Sequence, residues 1–293
     1  DYLDDALAED EPWCCFASVP EPHDPFVSGE AAFNLYDVDS IALNENVTDD
    51  LSDRPGIYRK AARVWKHMTD RQRREAAVCY YASITEIDAQ FGRLIDRVAA
   101  AGQLDNTIIV VTSDHGEALG AHGLYCKNFS AFEEIYTIPM IVSGPGIAQN
   151  VVTDARVGLH DLCPTILELS GSPPIDHPDS RSFAPVLRNP KSHEVEYTTG
   201  YAEYFGGRMI LTQRVVWDGS WKFVFNGFDY DELYNLDDDP GEMVNLAEKP
   251  EARQMLRHMT QLMWHKVKST GDQSLLNSKY PPLRVAPFGP GIT

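Results

Sequence analysis

The stretch from 106 to 127, "NTIIVVTSDHGEALGAHGLYCK", constrains the fold more than any other part of the chain. It begins as a β-branched run without polar alternation, the pattern of a parallel strand covered on both faces. The run stops abruptly on Ser-Asp-His-Gly. A second such run, "IPMIVSG" (138–144), follows it. Upstream, Ala77, Tyr80, Tyr81, Ile84, Ile87, Phe91, Leu94, Ile95 and Val98 recur at steps of three and four residues, the stripe of an amphipathic helix, and Gly102 is placed to end it. Downstream, "DLCPTILELSG" (161–171) reads as another helix. Helix, strand, loop, strand and helix in this order predict an α/β fold with a mostly parallel, doubly wound sheet.

The rest of the chain is arranged around that unit. "CCFASV" (14–19) reads as a buried strand that places Cys14 and Cys15 in the core and empties into the Pro-rich loop "PEPHDPF". Residues 27–56 lack periodicity and read as a long surface loop. From about residue 195 the texture becomes aromatic and alternating. "RMILTQRVVWDGSWKFVFN" predicts a hairpin turning at Asp218-Gly219, "EARQMLRHMTQLMWHKVKS" a helix, and "YPPLRVAPFGPGIT" an extended arm. The acidic "DYDELYNLDDDPGE" lacks EF-hand spacing and reads as a solvated turn. Two domains are therefore expected, 1–194 as the α/β part and 195–293 as a small antiparallel sheet with a helix and the arm.

Charge narrows the partners. With 44 acidic against 25 basic residues the formal charge is -19, which argues against nucleic acid or an anionic membrane. No apolar run reaches the roughly 18 residues of a membrane span. An anionic ligand would need a local cation or a metal ion to bind here. The five cysteines form no C-x-x-C pair, so a reducing compartment, the cytoplasm, is the expectation, with a periplasmic or secreted location left open.

In open parallel sheets ligands sit beyond the carboxyl ends of the strands. Asp114 and His115 lie at such an end, and a carboxylate beside an imidazole suits a divalent cation. An Asp114 that caps a helical turn and an ordinary loop His115 fit the same residues. Lys127 is a lone cation downstream, either an oxyanion ligand or a solvated surface lysine. His23, in its Pro-rich loop, is either a proton donor or a structural residue, and His122 either joins the site or is a structural loop residue.

The segment "YYASITEIDAQFGRLIDRVAAAGQLDNTIIVVTSDHGEALGAHGLYCKNFSAFEEIYTIPMIVSGPG", followed by "HDLCPTILELSG" and "DELYNLDDDPGEMVNLA", resembles in order and spacing the later two thirds of the type I sulfatases. These belong to the alkaline phosphatase superfamily and include the phosphonate monoester hydrolases. The resemblance runs from about residue 12 to 250 and implies an alkaline-phosphatase-like sheet lacking its N-terminal strands. It also implies that Asp114 and His115 bind the metal, that Lys127 binds sulfate or phosphonate oxygens, and that His23 assists the leaving group. An Asp-His pair is similar to the choline-sulfatase and phosphonate-hydrolase branch, with Ca2+ as the first and Mn2+ as the second metal. The family's adjacent aspartates and its C-x-[PA]-x-R segment, whose Cys becomes the nucleophilic formylglycine, do not occur in these 293 residues. The expectation is therefore a small sulfate or phosphonate ester as substrate, a nucleophile outside this chain, and an inactive isolated fragment. A possible homo-oligomer would form through the C-terminal arm. A non-catalytic binding or assembly protein with the same fold is the alternative of another class.

Overall fold

A computed structural model describes residues 2–127, 130–177, 179–206 and 211–277. In chain order its helices are α1 (Tyr2–Ala8), α2 (Glu30–Phe33), α3 (Gly56–Ala62), α4 (Asp70–Ala100), α5 (Glu133–Tyr136), α6 (Leu162–Leu169), α7 (Ala184–Arg188), α8 (Pro190–His193), α9 (Arg253–Ser269) and α10 (Gln273–Leu276). The strands are β1 (Ile109–Thr112), β2 (Met140–Ser143), β3 (Thr199–Tyr204), β4 (Gln213–Asp218), β5 (Trp221–Phe225) and β6 (Glu232–Asn235). Two compact units share these elements. The first comprises Asp1–Asn44, Lys66–Val111 and Met140–Pro145, the second Glu45–Trp65, Thr112–Pro139 and Gly146–Thr293. The expected C-terminal arm begins at 280 and lies outside the described residues.

In the first unit, α4 starts on a capping box: Thr69 Oγ1 accepts the Gln72 N–H, and the Gln72 side chain accepts the Thr69 N–H. It ends before Gly102, which adopts a φ of +70°. The expected stripe is only partly inside. Ala77, Val78, Ala82, Ser83 and Val98 are buried, whereas Ile84 is 44% exposed. Small side chains on this face suit the close packing of α2 and of the chain on either side of it: Tyr36 shares a 2.7 Å hydrogen bond with Thr85, and Phe26 meets Tyr80 edge to face.

β1 and β2 form a two-stranded sheet. Neither strand is covered on both faces as the sequence suggests, since β1 is half-buried to exposed and Ile141 is 62% exposed. Residues 14–19 also depart from expectation. They form no strand, Cys14 and Cys15 are exposed, and Phe16 is 91% exposed. An apolar run becomes a buried strand only where neighbouring strands receive it, and among the described residues none pairs with this one.

In the second unit β3, β4, β5 and β6 form an antiparallel sheet in that order. The β4–β5 hairpin closes with Asp218 opposite Trp221, so its turn residues are Gly219 and Ser220, one position later than the sequence suggested, with Gly219 at a φ of +56°. Alternation divides the two faces. Val216, Phe223, Phe225 and Leu233 pack against Leu256, Met259, Met263, Trp264 and Val267 of α9, whose buried positions recur at helical spacing. Each such side chain contributes about 1.5–3 kcal/mol through burial. Val215, Trp217 and Val224 face the other way, onto Ala131 and Tyr136. That second face supports the segment that carries α5.

Two further expectations are corrected in this unit. Part of the supposed surface loop 27–56 is interior: Asn46, Leu51 and Arg54 are buried. Arg54 is acceptable there because its guanidinium pairs with Asp49 (3.0 Å) and Asp53, donates to the Glu242 carbonyl oxygen and lies over the Tyr234 ring. The acidic segment 229–242 is solvated at Asp229 and Tyr230 and again at Asp237, Asp238 and Pro240, but not throughout. Glu232 and Glu242 are 1% exposed; Glu232 accepts hydrogen bonds from Tyr58, Tyr234 and Asn226. No described helix is long and apolar enough to cross a membrane.

Candidate active site

Beyond β1 the chain leaves the sheet at Thr112, whose hydroxyl donates to the Pro139 carbonyl oxygen at 2.9 Å. The Ser113 hydroxyl donates to the carbonyl oxygen of His115, and the His115 N–H donates back to Asp114 Oδ1 at 3.0 Å. No helix begins here, so Asp114 is not a helix cap, and its side chain is 81% exposed. His115 Nδ1 lies 2.8 Å from the carbonyl oxygen of Gly116. A carbonyl can only accept, so Nδ1 carries a proton, and in the neutral ring Nε2 is the nitrogen with the lone pair. That nitrogen is 3.5 Å from Asp114 Oδ2. A hard carboxylate oxygen and an imidazole nitrogen of fixed tautomer, side by side and accessible, suit a dication. Among the described residues no set of three or more His, Cys, Asp or Glu is grouped so that it could hold a metal ion.

Gly116 is required not for its own backbone angles but for what lies against it. Its φ is not left-handed. Its N–H donates to the Ile135 carbonyl oxygen at 2.8 Å, and the Glu117 N–H donates to that of Glu134 at 2.9 Å. A β-carbon at 116 would fall on the Glu134 carbonyl oxygen, which is main chain and cannot swing aside. Replacing Gly116 by Ala is expected to destabilise the protein by about 3 kcal/mol, the upper range for overpacking. A denaturant midpoint that does not move would contradict this contact.

The loop that follows is tied back by Glu117, whose Oε1 accepts the N–H groups of Leu119 (3.2 Å) and Cys126 (2.5 Å). Leu119, Gly120, His122, Gly123 and Cys126 all have positive φ, and for the non-glycines that conformation costs about 1–2 kcal/mol per residue. It persists because the core holds it. His122 is fully buried, stacked on Phe132 at 3.6 Å, and bonded to Asp49 Oδ2 (2.7 Å) and Asn46 (3.0 Å). His122 is therefore a structural residue. Lys127 follows this strained loop and is half-buried. Asp114, His115 and Lys127 belong to the second unit, where Glu117 ties the loop bearing the lysine to the pair. His23 belongs to the first unit, where its half-exposed ring donates through Nδ1 to the Asp24 carbonyl oxygen at 2.8 Å.

Other charged groups stand behind the loop. Burial pushes the Glu133 carboxyl up, but the Lys222 ammonium, with hydrogen bonds from Lys222, Thr137 and Trp217, outweighs it and brings it down to about 2. Glu242, the other carboxylate on Lys222, is raised by burial to about 7, with Lys222 opposing. Glu133 thus holds the charge opposite the lysine. Sequence reasoning passed over Glu117, Glu133 and Lys222. The first lies inside the Ser-Asp-His-Gly-Glu motif and was open to notice, while Lys222 is a charge in an apolar strand, a signal of pairing rather than of solvent.

Comparison with known proteins bears on the family and the fold. The sulfatase family model matches residues 1–172, and the model described as N-sulphoglucosamine sulphohydrolase, C-terminal, matches residues 120–269. The choline-sulfatase of Rhizobium meliloti (strain 1021) is 33% identical over 250 residues, covering 82% of this chain and 47% of that protein. An uncharacterized sulfatase of Escherichia coli (strain K12) is 32% identical over 252 residues, covering 85% and 49%. The chain spans about half the length of these curated relatives. Among solved structures, the phosphonate monoester hydrolase of Agrobacterium radiobacter superposes with a TM-score of 0.77 at 21% identity, over 94% of this chain and 60% of that one. That of Silicibacter pomeroyi gives 0.73 at 24%, over 84% and 54%. These likenesses bear out the α/β fold. With the family match running through β1, the Asp114–His115 loop and Lys127, the chain belongs to the sulfatase family.

Proposed function

We propose that this chain is part of a metal-dependent hydrolase of sulfuric esters. The observation that carries the reading is the exposed Asp114 carboxylate beside the His115 Nε2 lone pair, 3.5 Å apart at the end of a strand. These two residues hold a divalent cation, Ca2+ first and Mn2+ second, which supplies charge neutralisation on the transferred group. Lys127 binds a sulfate oxygen as a point charge and offsets the acidic chain's repulsion of an anion. His23, held by Asp24, gives a proton to the departing alcohol. No cysteine here begins a C-x-[PA]-x-R segment, so this reading puts the formylglycine nucleophile on a part of the protein outside these residues, and the 293 residues alone do not turn over. The α/β part is proposed to end near residue 194.

The 33% identity to a choline-sulfatase supports sulfate over phosphonate. In parallel assays of the full-length protein with nitrophenyl sulfate and a nitrophenyl phosphonate, the sulfate is expected to be hydrolysed with the higher kcat/KM. Faster phosphonate turnover would make the protein a phosphonate monoester or phosphodiester hydrolase. Absence of both turnover and bound metal would leave a binding protein.

A further inference from the structure

α5 is a single short turn, too short to hold its own conformation in water, yet its carbonyls hold the candidate metal loop. What holds α5 is buried charge. Lys222 of β5 is fully buried, and its ammonium lies 2.9 Å from Glu133 Oε1 and 2.8 Å from Glu242 Oε1. Glu133 Oε1 also accepts the indole N–H of Trp217 at 2.8 Å, and Glu242 Oε2 accepts the Glu133 backbone N–H at 2.6 Å. The start of the turn is thereby fastened to β4 and β5. From its far end the contacts continue without a gap: the Ile135 carbonyl oxygen receives Gly116 N–H, and the Gly116 carbonyl oxygen receives His115 Nδ1–H. Each link is a direct hydrogen bond or ion pair.

A buried ion pair is weak evidence for stability, because an apolar pair of similar volume commonly serves as well. Its use here is one of placement. We propose that Lys222 and Glu133 are positioning residues for the Asp114–His115 metal site, their ion pair fixing the turn on which the His115 imidazole is aligned. The inference rests on the metal reading of that pair given above. Partners behind a metal ligand are worth about 10–100-fold in metal affinity when removed.

The test uses the full-length protein and three variants. Lys222→Met removes the ammonium. Trp217→Phe takes the indole N–H from Glu133 while keeping an aromatic ring in that core, and serves if Lys222→Met does not fold. Met259→Ala, in the α9 core, is the control for lost stability without a change at α5. Amide exchange at Gly116 and Glu117 is followed in metal-stripped protein, and Ca2+ and Mn2+ affinity by competition with a chelator. Lys222→Met is expected to speed that exchange and to weaken metal binding about 10–100-fold, with Trp217→Phe changing both less and in the same direction. The control should leave both near wild type. Exchange or affinity in the Glu133-directed variants no different from the control overturns the proposal. Faster exchange in a protein whose wild type binds no metal upholds the clamp and overturns the metal reading beneath it.

Discussion

Asp114→Ala in the full-length protein is expected to lower kcat/KM for a sulfate ester by about a thousandfold, the upper range for losing one group that stabilises transition-state charge. Bound metal is expected to fall with it, measured by elemental analysis after dialysis. The side chain is 81% exposed and its hydrogen bond is to the next residue's own N–H. Folding should therefore hardly notice the change, since exposed substitutions usually stay within about 0.5 kcal/mol. This separation makes the experiment decisive. A large loss of activity and metal with an unchanged unfolding midpoint assigns Asp114 to the chemistry, and a variant retaining a tenth of the activity removes it from the metal site.

Arg54→Leu has the opposite profile. Its guanidinium is 1% exposed and is the cation opposite Asp49, itself only 5% exposed. The leucine would leave Asp49 with His122 at 2.7 Å and strip the Glu242 carbonyl oxygen of its donor. Breaking a buried pair from one side costs about 3–5 kcal/mol, much of it the penalty for the charge left behind. A comparable loss is expected in chemical denaturation. Arg54→Leu combined with Asp49→Asn should recover part of it, because the stranded charge is gone; no recovery would place the loss in packing against Tyr234.

The two residues also mark how far the sequence could be read. Asp114 was legible because a long β-branched run ends on it, and the place where such a strand ends is set locally. The helices α4, α6 and α9 and the β4–β5 hairpin were legible for the same reason, since period and turn residues are written in adjacent positions. Arg54 was not, because its segment of Asp, Asn, Gly and Pro has no period, and what makes its burial tolerable includes a carbonyl oxygen 188 positions away. Residues 14–19 show the converse. Apolar sequence declares readiness for burial, but burial needs neighbouring strands, and none is among the described residues. Gly116 lay between these cases: the motif was visible, while its reason, a main-chain approach to Glu134, is a tertiary one.

That approach has a consequence for how many tasks so few residues perform. The join between 116–117 and 134–135 uses only backbone groups. No side chain is consumed in making it. Asp114 and His115 keep their side chains at the strand end, Glu117 is left to close the lysine loop, Glu133 to meet Lys222 and Glu134 to meet Asn46. A division of labour between main chain and side chains thus lets one short crossing serve loop closure and interior packing at once, beside the pair proposed for the metal.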